Sequence, residues 1–325
     1  MNSRREISFQ TFLNLALTLA LLLVVLFAFL YLRPRPPQPV DAAVVGTKAV
    51  LNLPPAWRLD IYGPPEFPLR YPMGVGLGPT GEIYVADTGN AAIQVFRLEG
   101  KRVVPVRRFG RFGRGPGELN YPSDVAYHRG KVYVAELKNS RLQVFDPAGR
   151  HLYFIPDPEK HSGLRFSPTF LYSDGSSLFV ATVNGEILVF DDQDRLVRQI
   201  GQGGGGAGEF SYPYGMALDS EGRLWVADSN NGRVQVLNRE GKPLLAMGGF
   251  ATPRGLAMDE WQRVYVVDVL QHRVFVFDQR GRQLFTFGQR GLDEGELNFP
   301  QDIAAYQEML FIADRENNRL SVWGY

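Results

Sequence analysis

"LWVADSNNGRVQVL", Leu224–Leu237, sets two short β-rich runs on either side of a polar turn that opens with an Asp and closes with an Arg. Its alternating apolar residues and its Asn-Asn-Gly reversal predict an antiparallel hairpin. The hairpin is repeated along the chain. "IYVADTGNAAIQVF" (Ile83–Phe96), "VYVAELKNSRLQVF" (Val132–Phe145), "LFVATVNGEILVF" (Leu178–Phe190), "VYVVDVLQHRVFVF" (Val264–Phe277) and "LFIADRENNRLSVW" (Leu310–Trp323) share its frame.

Each copy belongs to a unit led by a proline, at Pro72, Pro122, Pro168, Pro213, Pro253 and Pro300, so the units lie 40 to 50 residues apart. Within a unit four β-rich runs follow one another, as in "YGMALD", "RLWVAD", "RVQVL" and "PLLAMGG". Four antiparallel strands at this period predict an all-β, six-bladed β-propeller. The last unit stops at "LSVWGY", one strand short, while "AWRLDIYG" (Ala56–Gly63) ahead of the first unit resembles the fourth strands of the others. The N-terminal strand is therefore expected to complete the last blade and remove the exposed sheet edges.

The 325 residues carry 35 basic and 34 acidic side chains and no cysteine. Near-neutral balance gives no general pull toward nucleic acid, and disulfides, thiolate metal sites and cysteine nucleophiles are excluded. One segment stands apart from this composition. "FLNLALTLALLLVVLFAFLYL", residues 12–32, has no formal charge and the length of a membrane span. The expected organisation is a short tail (1–11), a transmembrane signal-anchor helix (12–32), a Pro-rich linker (33–50) and the propeller (51–325). "VDAAVV" (Val40–Val45) leaves peptidase cleavage as the alternative to a retained anchor. Arg4 and Arg5 against Arg33 and Arg35 modestly favour N-in, which places the propeller outside the cytoplasmic membrane.

The motifs "YVAD-x-x-N-x-R-(V/I)-Q-V-F" and "G-x-x-G-x-x-x-G-E-(L/F)-x-x-P" resemble those of NHL-repeat six-bladed β-propellers, of a membrane-anchored bacterial type, over residues 56–325. The resemblance implies the fold. It leaves function open, since such relatives include binding scaffolds, sensor domains and a few enzymes.

One face of such a ring collects the Asp/Arg turns, the proline-led starts of the inner strands and three Gly-rich loops at Arg111–Asn120, Gln202–Ser211 and Gln289–Asn298. Asp87, Asp228, Asp268 and Asp314, with Arg141, Arg233, Arg273 and Arg319, read as a structural ring, because a motif repeated around the fold is no single active site. The departures are more informative: Ala92 stands where Arg is expected, Glu136 and Thr182 where Asp is expected, and "IPDPEKHSGLRFSP" (Ile155–Pro168) leads into the third unit. The channel mouth and its rim are expected to present Met73, Ser123, Asp124, Glu136, Phe170, Tyr214, Arg254, Gln301 and Asp302 to a ligand.

Asp124 and Asp302 are the candidate metal pair, for a calcium ion of the kind used by propeller lactonases. The propeller amidating lyases, which hold zinc with several histidines, are a poorer match, because His128, His151, His161 and His272 do not share a repeat position. The expected function is a membrane-anchored binding or assembly module with no cofactor. The alternatives are a calcium-dependent hydrolase, lactonase or lyase, and a binder of an anionic polymer, RNA included, through the six basic residues of Lys101–Arg114. Expected partners are the membrane, through the helix, and a protein or surface polymer; an extracytoplasmic propeller would not meet nucleic acid.

Overall fold

A computed structural model describes residues 53–325, except Lys101 and Pro158. The expected anchor helix (12–32) and linker (33–50) fall outside the described residues, among which no helix is long and apolar enough to cross a membrane.

Six four-stranded antiparallel sheets make the ring, each beginning on its inner strand at one of the six prolines. The last sheet borrows its outer strand: Ala56–Ile61 pairs antiparallel with Arg319–Gly324. The ends of the propeller are thereby fastened by backbone hydrogen bonds rather than by loops alone. Arg319 reinforces the closure, donating to Asp314 of its own blade at 2.8 Å and to Asp60 of the borrowed strand at 2.7 Å.

Alternation along the strands decides what is buried. The second and third strands are apolar on both faces, as in "LFIAD" and "RLSVW", because each is covered by the blades on either side. Between blades the packing is aromatic and aliphatic, as where Tyr84, Val95 and Ile93 meet Val125, Val134 and Phe145. Side-chain hydroxyls stitch neighbouring blades near the turn face: Thr88, Thr169 and Ser229 donate to the carbonyls of Pro122, Pro213 and Pro253 at 2.6, 2.7 and 2.6 Å.

A second Asp/Arg pattern lies at the opposite face, in the hairpins that link first to second and third to fourth strands. Asp146–Arg150, Asp219–Arg223, Asp259–Arg263 and Asp278–Arg282 each pair at 2.6 Å. Its spacing of four residues, against five in the turn ring, separates the two motifs in the sequence itself.

The irregular segment before blade 3 is a wedge. His161 sets Nε2 2.6 Å from the carbonyl of Asp194, while the Asp194 carboxylate accepts from the hydroxyls of Tyr133 (2.7 Å) and Tyr153 (2.5 Å). Blades 2 and 3 are tied together through it.

Candidate functional site

The turn ring behaves as the repeat implies. Asp228 accepts from the backbone N–H of Ser211 at 2.7 Å, from the Asn231 amide and from Arg233 Nε at 2.7 Å, and Arg233 also donates to the carbonyls of Gly206 and Glu209. The carboxylate thus fixes its own turn, and the guanidinium fixes the incoming Gly-rich loop. Asp268 is held in the same way by Ala251, Thr252 and Gln271, although the Nε of Arg273 is buried without a partner. In blade 1 the absent arginine leaves Asp87 to Asn90, Gln94 and the N–H of Arg70, and burial raises its carboxyl above the usual range.

Glu136 belongs with this ring rather than with the channel mouth. Its two oxygens accept from Asn120 N–H, Asn139, Arg141 Nε and Gln143 at 2.6–2.9 Å, and it is fully buried. The longer side chain supplies the same turn chemistry as Asp.

Met73, Ser123, Asp124, Phe170, Tyr214, Gln301 and Asp302 do converge at the start of the inner strands, but as a plug, each no more than 5% exposed. A register shift after every leading proline turns the inner strands inward at this level. Tyr214 packs on Phe170 at 5.5 Å between ring centres, points its hydroxyl at the Ser123 carbonyl, and lies under the Arg254 guanidinium at 5.2 Å. Arg254 donates in turn to Gln301.

The two aspartates flank Gly74 of blade 1. Asp302 Oδ2 accepts from Val75 N–H at 2.8 Å, and Asp124 Oδ2 accepts from Leu171 N–H at 2.7 Å, so each carboxylate reaches across to the next blade. A Cβ on Gly74 would lie 2.1 Å from Asp124 Oδ1, which is why this position holds glycine. Burial pushes the Asp302 carboxyl up to about 7, and burial together with Asp302 holds Asp124 well above the usual carboxylate range.

This pair does not fit a calcium ion. Calcium takes six to eight oxygens, whereas one oxygen of each carboxylate is committed to backbone and, of the pair's four oxygens, only Asp302 Oδ1 is buried without a partner among the described residues. Among the described residues no third Asp, Glu or His completes a cluster. A retained proton relieves the repulsion of two buried carboxylates instead. The histidines are dispersed, with His151 on an outer strand, His161 in the wedge and His272 accepting from Phe299 N–H on the blade 5 turn.

Beyond the plug the channel widens toward the opposite face into a cavity of about 350 Å³, lined chiefly by Val75, Val125, Leu171, Met216, Leu256 and Ile303. Ser173 and Asp259 give it a polar rim. Ser173 Oγ lies 2.8 Å from Nδ1 of the buried His128, whose Nε2 has no partner.

The repeat, the turn ring and the six sheets can now be compared with known proteins. Three blades match the NHL repeat. The matched residues are 69–96, 119–145 and 210–237, spanning the turns of Asp87, Glu136 and Asp228. Over 79 residues the chain is 33% identical to human "NHL repeat-containing protein 3"; the match spans 23% of each chain, about a quarter of the curated relative's length. Among solved structures, a Bacteroides thetaiotaomicron protein of unknown function superposes with TM-score 0.59 at 15% identity, covering 79% of this chain and 70% of that one. Virginiamycin B lyase from Staphylococcus aureus superposes with TM-score 0.53 at 14% identity, covering 79% and 80%. At these identities the structural likeness shows the fold alone.

The aromatic residue before four of the leading prolines went unread in the sequence. Tyr71, Tyr121, Tyr212 and Phe299 all adopt positive φ between 49° and 58°, a conformation bulky side chains rarely take. Tyr121 and Tyr212 pack on the plug from above. The signal was the recurrent Tyr-Pro or Phe-Pro dipeptide.

Proposed function

We propose that this chain is a membrane-anchored NHL-type propeller that binds a macromolecular partner through its turn face. The observation that carries the reading is a set of exposed large apolar side chains on that face. Leu270, Leu292, Tyr62, Phe67 and Phe112 are 51–74% exposed and lie on turn-face loops from blade 5 round to blade 2, above a plugged channel. Large apolar groups held out on clamped loops suit a contact surface. A small-molecule site at this end would need the opening that the plug fills.

In this reading residues 12–32 anchor the chain, and the propeller stands outside the cytoplasmic membrane, where nucleic acid is not the partner. The strand Ala56–Ile61 runs toward the turn face, so its first residue lies at the opposite face.

The cysteine-free sequence suits a direct test. Single cysteines at Phe112 or Leu292 of the full-length protein, and at Val197 on an outer strand, are labelled in intact cells with a membrane-impermeant maleimide and then with a photo-crosslinker. Labelling without lysis and discrete crosslinked species from Phe112 and Leu292 alone support the proposal. Labelling only after lysis overturns the topology, and crosslinks confined to Val197 overturn the turn face as the contact surface.

A further inference from the structure

Where the chain enters blade 1 on the turn face the arginine of the repeat is missing, as it also is in blade 3. In blades 2, 4 and 6 the repeat arginine fills the space between turn and incoming loop: Arg141, Arg233 and Arg319 each donate to loop carbonyls as well as to their acid. In blade 1 this position is the fully buried Ala92, and the loop is held by other means. Gln94 donates to Phe67 O at 2.9 Å, and Asn90 donates to Pro68 O at 2.8 Å.

Beside this loop lies a turn-face groove of about 500 Å³, lined by Tyr62, Phe67, Arg70, Asn90, Arg108 and Asn318, with Glu66 as its one acidic side chain. Its two arginines are exposed. Among the described residues neither guanidinium has a carboxylate within ion-pair distance, and Arg108 lies against the face of Phe67, 4.9 Å from the ring centre. Among the described residues two amide groups are also unspent: Asn318 accepts from Tyr71 N–H through Oδ1 but its Nδ2 donates no bond, and Asn90 donates through Nδ2 but its Oδ1 accepts none.

We propose that this groove binds an acidic peptide segment of a protein partner. A carboxylate side chain meets the forked donors of Arg108 and Arg70, the apolar parts of the segment lie on Tyr62 and Phe67, and Asn318 with Asn90 offers one donor and one acceptor to a peptide unit. The chemistry favours a peptide over a bare anion, because a phosphate leaves the aromatic faces and the amide pair unused. This proposal rests on the turn face being the contact surface and names the chemistry it selects.

The test uses the full-length protein in detergent and fluorescence anisotropy with labelled eight-residue peptides that alternate Glu with Leu or Phe. The comparison probes are the same peptide with Gln for Glu, single-stranded oligouridylate, and inorganic phosphate as competitor. The Glu peptide is expected to bind and the Gln peptide to bind at least about tenfold more weakly, with Arg108→Gln and Arg70→Gln each costing about tenfold.

Equal binding of the Glu and Gln peptides, or undiminished binding in both arginine variants, overturns the proposal. So does preference for oligouridylate, or displacement by phosphate at concentrations that chloride tolerates. If peptide binding fails while crosslinks from Phe112 and Leu292 persist, the groove proposal falls and the turn-face reading stands.

Discussion

Arg319 and Asp60 lie 259 positions apart in the chain, and their side chains meet at 2.7 Å with Arg319 almost fully buried. The same guanidinium holds Asp314 and the carbonyls of Asp293 and Glu296, so one side chain joins the first described strand, the last turn and the last Gly-rich loop. Removing it strands two carboxylates in the interior. Arg319→Ala is expected to lower unfolding free energy by roughly 3–5 kcal/mol. Arg195→Ala, whose partner Asp191 forms an exposed pair, is the control and should be close to neutral. Urea unfolding of both variants checks the difference.

Asp228 satisfies a backbone N–H, an amide and a guanidinium at once, so its loss leaves several buried donors unpaired. Asp228→Ala should cost about 3 kcal/mol and loosen the Gln202–Ser211 loop. Arg233→Ala, which leaves the carboxylate its other partners, should cost less. Limited proteolysis within that loop reports the loosening independently of the global transition.

Gly74 has no room for a side chain, since an added Cβ would meet Asp124 at 2.1 Å from Oδ1 and 2.6 Å from Cα. Gly74→Ala is expected to cost roughly 1–3 kcal/mol through displacement of the inner strands of blades 1 and 2. Gly248→Ala, with nothing near its added Cβ, should be close to neutral. Thermal unfolding of the two variants separates lack of space from loss of glycine as such.

The carboxyl of Asp302, raised to about 7, ionises well above an unfolded aspartate. The native state then holds a proton that the unfolded chain has released, so this contribution to stability is complete below about pH 4 and lost as pH rises to about 7. Asp124, Tyr214 and Arg254 are the groups that face one another in the plug; Asp124 has the same sign, and so do Asp87 and Asp314 elsewhere. Asp302→Asn keeps the acceptor for Val75 and removes the titration. It should flatten the fall in stability between pH 4.5 and 7 by up to about 1.4 kcal/mol per pH unit and leave the variant at least as stable as the native protein at pH 8. Unfolding midpoints at pH 5 and pH 8 decide this.

The sequence by itself determined the blade count, the role of "AWRLDIYG" as the closing strand and the structural character of Asp228 and Arg233. These properties are written locally: strand alternation, turn residues and a fixed period survive without knowledge of the neighbours. The tertiary structure decided which side chains are free. Asp124, Asp302 and Tyr214 occupy the predicted channel positions, yet whether such positions form a mouth or a plug depends on how far six inner strands converge. That distance is set by Gly74 and Gly255, where the neighbouring blade leaves no space for a side chain, and by the volume of Tyr214 and Phe170. Ala92 likewise reads as one missing arginine in the sequence. Only the fold brings Phe67 and Arg108, from segments on either side of that hairpin, together along a groove.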